Sequence, residues 1–199
     1  ALARTGQKTA LLTMNLDSIA FLACNPAIGG TAKGHLVCEI DALGGEMGIN
    51  ADKATIQRRM LNSSKGYAVQ SLRVQADKNK YHTYMKETIE NQENLYLRQG
   101  EASNIITKDG IITGIDTIQG EHFDTKAVIV CSGVYLKSRI IIGKFFKEVG
   151  PNGFSNANYL SDSLKKLGFK LRRFKTGTPV RIDGKTIDFS KLEIQKGED

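Results

Sequence analysis

The chain is built from short apolar runs punctuated by Gly, Asn and Asp, with few long amphipathic stretches. Residues 8–13 (Lys-Thr-Ala-Leu-Leu-Thr) read as a buried strand. Residues 1–4 before it read as the tail of a helix ending near Gly6, because Gly is favoured just past a helix C-terminus. The chain therefore opens inside a helix–strand unit, as expected of a fragment. After Gly29-Gly30, the residues Leu36, Val37, Ile40 and Leu43 recur at helical spacing, and Gly44-Gly45 marks the stop. Over residues 64–91, Val69, Leu72 and Ala76, then Tyr81, Met85 and Ile89, give an interrupted helical stripe. Residues 94–99 alternate like a strand. Three short strands are predicted over 102–107, 111–118 and 121–123, turning at Asp109-Gly110 and Gln119-Gly120 as a β-meander. Residues 126–131 read as another buried strand, running into Ser132-Gly133.

This order predicts an α/β, doubly wound (Rossmann-like) fold. Ligands bind such folds at the carboxyl ends of the parallel strands. Here those ends are Thr13-Met14-Asn15, Gly100-Glu101-Ala102 and Ser132-Gly133. A meander in place of a crossover helix is the layout of FAD-binding domains of the glutathione-reductase type. The Gly-x-Gly-x-x-Gly turn that seats a pyrophosphate does not occur in the sequence, and is expected upstream of Ala1. The expected division is an FAD-binding domain over 1–174, incomplete at its start, and the beginning of an inserted α/β subdomain over 175–199.

Composition fits a folded chain: of 199 residues, 40% are apolar and 25% charged, with a mean hydropathy of −0.28. The apolar runs at 127–131 and 140–142 are too short to span a bilayer, and the first ten residues hold no apolar signal core. Three scattered cysteines (Cys24, Cys38, Cys131) without a Cys-x-x-Cys pair suggest neither a disulfide scaffold nor zinc, so no metal is expected and a reducing cytoplasm fits. Net charge is +7. Residues 137–175 alone net +8, so the whole excess sits there. That window is either a solvated basic face or an anion-binding surface.

Candidate chemistry concentrates at residues 24–30 (Cys-Asn-Pro-Ala-Ile-Gly-Gly). Pro and paired Gly before a helix make a tight turn, admit a ligand close to the backbone and leave helix N-terminal N–H groups free. A thiol there has its thiolate favoured. The competing reading of Cys24 is a small core residue, which is also the reading of Cys38 and Cys131. Residues 175–179 (Lys-Thr-Gly-Thr-Pro) have the size of an anion-binding loop without P-loop spacing, or form a rigid turn.

Several stretches together resemble the glucose-inhibited division protein A family (GidA, also called MnmG). They are Leu-Leu-Thr-Met-Asn-Leu-Asp (11–17), the block 24–45, Leu-Asn-Ser-Ser-Lys-Gly (61–66), residues 68–77, Lys-Thr-Gly-Thr-Pro (175–179) and residues 181–190. Tyr67, Val180, Ile141 and Cys38 depart from the usual pattern, as in a divergent member. The resemblance implies a longer flavoprotein that holds FAD, is reduced by NADH and takes a one-carbon unit from methylenetetrahydrofolate. It implies an aminomethyl-type group placed on C5 of the wobble uridine in the tRNA anticodon, together with a partner GTPase, by a cytoplasmic homodimer with no membrane attachment. By the same resemblance Cys24 is the catalytic nucleophile. Asn25, Pro26, Ala27, Ile28, Gly29 and Gly30 line the flavin ring. Thr13, Met14 and Asn15 meet the adenosine ribose, Glu101 and Ala102 the adenine, and Ser132 and Gly133 the diphosphate. Lys33, Lys65, Arg73, Arg172, Arg173 and Lys175 are candidate nucleic-acid contacts, with the flavin diphosphate or surface ion pairs as alternatives for the first three. The rivals are a related folate-dependent tRNA methyltransferase flavoprotein, and a non-catalytic fragment that binds tRNA or a protein partner.

Overall fold

The computed structural model describes residues 1–198. Contacts divide the chain into two compact units. The first comprises Ala1–Thr9, Ser18–Tyr96 and the chain from Thr176 onward. The second comprises Ala10–Asp17 and Leu97–Lys175. The segment expected to begin a separate subdomain thus packs with the first unit from Thr176 on.

In the first unit, residues 2–5 form a short 3-10 helix that ends at Gly6 as expected. Three strands follow: β2 (Ala27–Gly29), β3 (Thr55–Leu61) and β4 (Ser71–Ala76), after β1 (Thr9–Thr13) has left for the second unit. They make an antiparallel sheet in the order β2-β4-β3. The helices are α1 (Lys33–Ala42), α2 (Met47–Lys53) and α3 (Lys78–Glu90). Ile28, Ala51, Ala54, Val74, Ala76 and Tyr81 form the core, with Leu22, Val37, Met47 and Met85 packed around it. Asn50 is fully buried and its amide donates to the Tyr81 carbonyl at 2.8 Å. Asp77 starts α3 by accepting the Asn79 and Lys80 N–H groups at 2.9 and 3.0 Å.

Two expectations are corrected here. The helical stripe over 64–76 is not helix: residues 67–69 are a 3-10 turn and 71–76 a strand, paired with a strand at 55–61 that the apolar pattern did not announce. Val74 and Ala76 alternate into the core with period two, and the ladder with β3 satisfies the backbone, so pairing outweighs helical spacing. In α1 only Val37 reaches the core, whereas Leu36 is 57% and Leu43 74% exposed.

In the second unit the end of β1 lies beside β5 (Leu95–Gln99). Bonds from Thr9 N–H to the Asn94 carbonyl (2.9 Å) and from Gly100 N–H to the Thr13 carbonyl (2.8 Å) make the pairing parallel. The meander forms as expected from β6 (Ala102–Lys108), β7 (Ile111–Thr117) and β8 (His122–Asp124). Helix α4 (Leu160–Lys166) packs Leu160 and Leu164 on Ile105. Ser163 accepts the Ile105 N–H at 2.9 Å. A hairpin of β9 (Ile140–Ile142) and β10 (Phe145–Lys147) completes the unit. The strand expected over 126–131 is absent. Val128 packs against the α4 cluster, but Ile129 is 68% exposed and, among the described residues, no strand edge pairs with this segment. No described helix is long and apolar enough to cross a membrane.

At the edge of the meander, His122 stands between Asp116 (Nδ1 to Oδ1, 2.7 Å) and Asp124 (Nε2 to Oδ1, 3.4 Å). The hydrogen bond to Asp116 first, and Asp124 after it, holds the imidazole pKa above its ordinary value. The protonated form is thus favoured by folding. The stabilisation is complete below the unfolded histidine pKa and is lost as pH rises through the folded one. Thermal melts of wild type and His122→Gln should therefore diverge below about pH 6.5 and converge at higher pH. Parallel profiles would disprove this.

Candidate functional site

Residues 24–30 are more ordered than an open turn. Asn25 and Pro26 are exposed, but the Asn25 carbonyl accepts the Ala27 N–H at 2.7 Å and the Pro26 carbonyl accepts the Ala76 N–H at 2.8 Å. Ala27 and Ile28 are buried, so the Ile28 side chain belongs to the core. Gly30 donates to the Leu72 carbonyl at 2.8 Å and accepts the Ser71 hydroxyl at 2.5 Å. The helix N-terminus is not the open cradle expected. Lys33 N–H returns to Thr31 (2.8 Å) and Gly34 N–H to Gly30 (2.7 Å). What stays open is the outer edge of β2. With Ile28 opposite Val74 and Gly30 bonded to Leu72, the backbone groups of Ala27 and Gly29 face away from β4. Those of Ala27 are taken by Asn25 and by Lys33. Gly29 sits at φ +85°, and a Cβ there would meet the Leu72 carbonyl, so the missing side chain lets β2 lie close against β4.

Cys24 is half-buried at the entrance to this edge. Its Sγ lies 3.5 Å from the Gly177 carbonyl, and Arg181 donates to the Cys24 carbonyl at 3.3 Å. The Lys-Thr-Gly-Thr-Pro segment is thus folded over the thiol. Residues 175–179 stood out as a candidate loop, but the contacts of Gly177 and Arg181 with Cys24 were not legible, because no local motif ties position 24 to positions more than 150 residues away. Cys38 and Cys131, read as core residues, are exposed.

Lys33 donates its ammonium to the Ala27 carbonyl at 2.6 Å. Desolvation there lowers its pKa; nearby Cys24 opposes this and Arg73 adds to it. Lys33 therefore braces the turn and shares an electrostatic neighbourhood with Cys24 and Arg73. Lys65 lies in the exposed loop after β3.

The second unit brings the first two strand ends together. Thr13 accepts the Gly100 N–H, and its hydroxyl donates to the Asn15 carbonyl at 3.3 Å. Asn15 Oδ1 accepts the Asp17 N–H at 2.8 Å, which shapes the turn through Met14. The Glu101 carbonyl accepts the Ile118 N–H at 3.0 Å, its carboxylate accepts the Asn158 N–H at 3.0 Å, and Ala102 pairs with Thr117. Ser132-Gly133 forms a separate turn closed by Tyr135 N–H on the Ser132 carbonyl at 3.2 Å. In the basic window Lys137 is bound to Asp162 at 2.7 Å, and that hydrogen bond lowers the Asp162 pKa. Arg173 donates to the Lys137 carbonyl at 3.0 Å, while Arg172 and Lys175 are exposed. Among the described residues no group of His, Cys, Asp and Glu could hold a metal ion.

Comparison with known proteins gives a consistent result. A family model described as "Glucose inhibited division protein A" matches residues 1–199. The tRNA uridine 5-carboxymethylaminomethyl modification enzyme MnmG of Alkaliphilus metalliredigens is 57% identical over 199 residues, covering all of this chain and 32% of that protein. MnmG of Clostridium botulinum (strain Okra) is 58% identical over the same span. The chain spans about a third of the length of these curated relatives. The solved structure of Aquifex aeolicus GidA matches with a TM-score of 0.90 and 51% identity, over 99% of this chain and 33% of that one. That likeness places the fold in the Rossmann-like α/β class. The GidA-related protein of Thermus thermophilus shares the fold alone, at 19% identity and a TM-score of 0.59. On the match along its whole length, this chain belongs to the glucose inhibited division protein A family.

Proposed function

We propose that the chain is part of a flavoprotein that installs an aminomethyl-type group at C5 of the tRNA wobble uridine. The observation that carries this reading is identity of 57–58%, over the whole chain, to proteins named for that modification. The proposed co-substrates are NADH and methylenetetrahydrofolate, and the proposed partners a GTPase and a second copy in the cytoplasm. FAD, when bound, supplies the redox chemistry of the one-carbon unit. The segment Asn25, Pro26, Ala27, Ile28, Gly29 and Gly30 lies beside its ring, with the backbone groups of Gly29 at the outer edge of β2 as the ones left to meet it. Thr13, Met14, Asn15, Glu101 and Ala102 receive the adenosine, and Ser132 and Gly133 the diphosphate. Arg172, Arg173 and Lys175, which pair with no carboxylate among the described residues, offer charge to the tRNA backbone.

In this reading Cys24 Sγ adds to C6 of the uracil. The electron pair displaced to C5 attacks the one-carbon electrophile. The C5 proton then leaves, the Sγ–C6 bond breaks and the thiolate returns. The intact protein should be purified with a bound-flavin absorption spectrum, and its tRNA should show the added mass at the wobble uridine. A protein that stays colourless after addition of FAD, and leaves tRNA unmodified with its co-substrates and partner GTPase present, would refute the proposal.

A further inference from the structure

The sheet β2-β4-β3 has one face in the core; the other, closed at the buried Ala27 and Ser71 but partly open at Arg59 and Arg73, carries an unusual pair. Its register sets Arg59 directly opposite Arg73 and Gln57 directly opposite Gln75. Gly29 and Ala27 extend the same two rows on β2. Val74, one residue along, points into the core, so Arg73 and Gln75 point away from it. Like charges directly opposite on an antiparallel pair destabilise it. Among the described residues neither guanidinium meets a carboxylate within ion-pair distance. Glu193 and Glu198 line a neighbouring cavity with Arg59, but the Glu198 carboxylate accepts the Met60 N–H at 2.9 Å instead.

These two arginines, with Gln57, Gln75, Ser63 and Ser64, line a cavity of about 380 Å³. The rim is held in place. Asn62 donates to Thr31 Oγ1 and to the Val69 carbonyl, both at 2.9 Å, which fixes the loop bearing both serines. Two planar forks of donors, flanked by the Gln75 amide and the serine hydroxyls, match the oxygens of a phosphate, while the Gln57 amide already donates to the Gln195 carbonyl at 2.7 Å. A dianion between them turns their mutual repulsion into attraction. The volume exceeds that of one phosphate, so the rest of a nucleotide can enter with it.

We infer that the open face of this sheet is a phosphate-binding site built by Arg59 and Arg73, for a phosphate group carried on a nucleotide. The inference is independent of the flavin chemistry. It is tested on the intact protein saturated with FAD, so that any diphosphate site is filled. Thermal midpoints are measured against inorganic phosphate, with chloride at equal ionic strength as the reference. The wild type should show a saturable phosphate-specific rise. Arg59→Gln and Arg73→Gln should each weaken the apparent affinity by about tenfold or more. Arg59→Lys should retain part of it. In chloride, Arg59→Gln should melt no lower than the wild type, since it removes a repulsion. The same titration with a nucleoside diphosphate and with a short single-stranded RNA identifies the source, and an arginine-dependent rise with either supports the site. No phosphate-specific rise in the wild type, or an equal rise in both glutamine variants, would overturn it.

Discussion

Gly29→Ala is expected to destabilise the first unit by about 2–3 kcal/mol or more, the scale of a strained backbone residue with steric overlap added. Gly29 sits at φ +85°, and a Cβ there would overlap the Leu72 carbonyl. That carbonyl accepts the Gly30 N–H, so the clash cannot be relieved without parting β2 from β4. Separation would also withdraw Ile28 from the core. Gly6→Ala is the matched control. It has a similar φ of +82° with nothing within 4 Å of the added carbon, so it carries the conformational cost alone. Thermal melts of the two variants should therefore differ clearly, with Gly29→Ala the lower, and in the intact protein only Gly29→Ala should lose flavin. Equal melting points would show that the Leu72 contact yields easily.

Cys24→Ala is expected to reduce tRNA modification by roughly 10³-fold or more, the scale on which enzymes lose rate with their nucleophile. Folding should survive, because the thiol is half-buried and its hydrogen bond to the Gly177 carbonyl is long, at 3.5 Å. Bound-flavin absorbance and melting point are the controls. Modification at the wild-type rate with flavin retained would remove Cys24 from the chemistry.

The legible parts of the sequence were those whose signals are local. The meander turns are encoded within a few residues of where they act. The strand at 55–61 was hidden because Arg58 and Arg59 interrupt its apolar pattern, and its register becomes visible only with β4 in place. Residues 126–131 misled for the opposite reason: an apolar run predicts a strand, but a strand needs a neighbour. At the site, the block around Cys24 stood out as a unit. The contact from Arg181 and the pairing of Arg59 with Arg73 did not, because each depends on partners distant in sequence or on strand register.

The contact between Cys24 and Gly177 also has a meaning in time. It closes a loop across 153 positions of chain. Long closures carry an entropic penalty and form after local ones. The β3–β4 ladder and the β2–β4 pairing need only residues up to 76, so the sheet has its partners early in synthesis. The thiol does not. Until residues 177–181 emerge from the ribosome, Cys24 lacks its covering segment, and its chemistry is assembled after the scaffold that supports it.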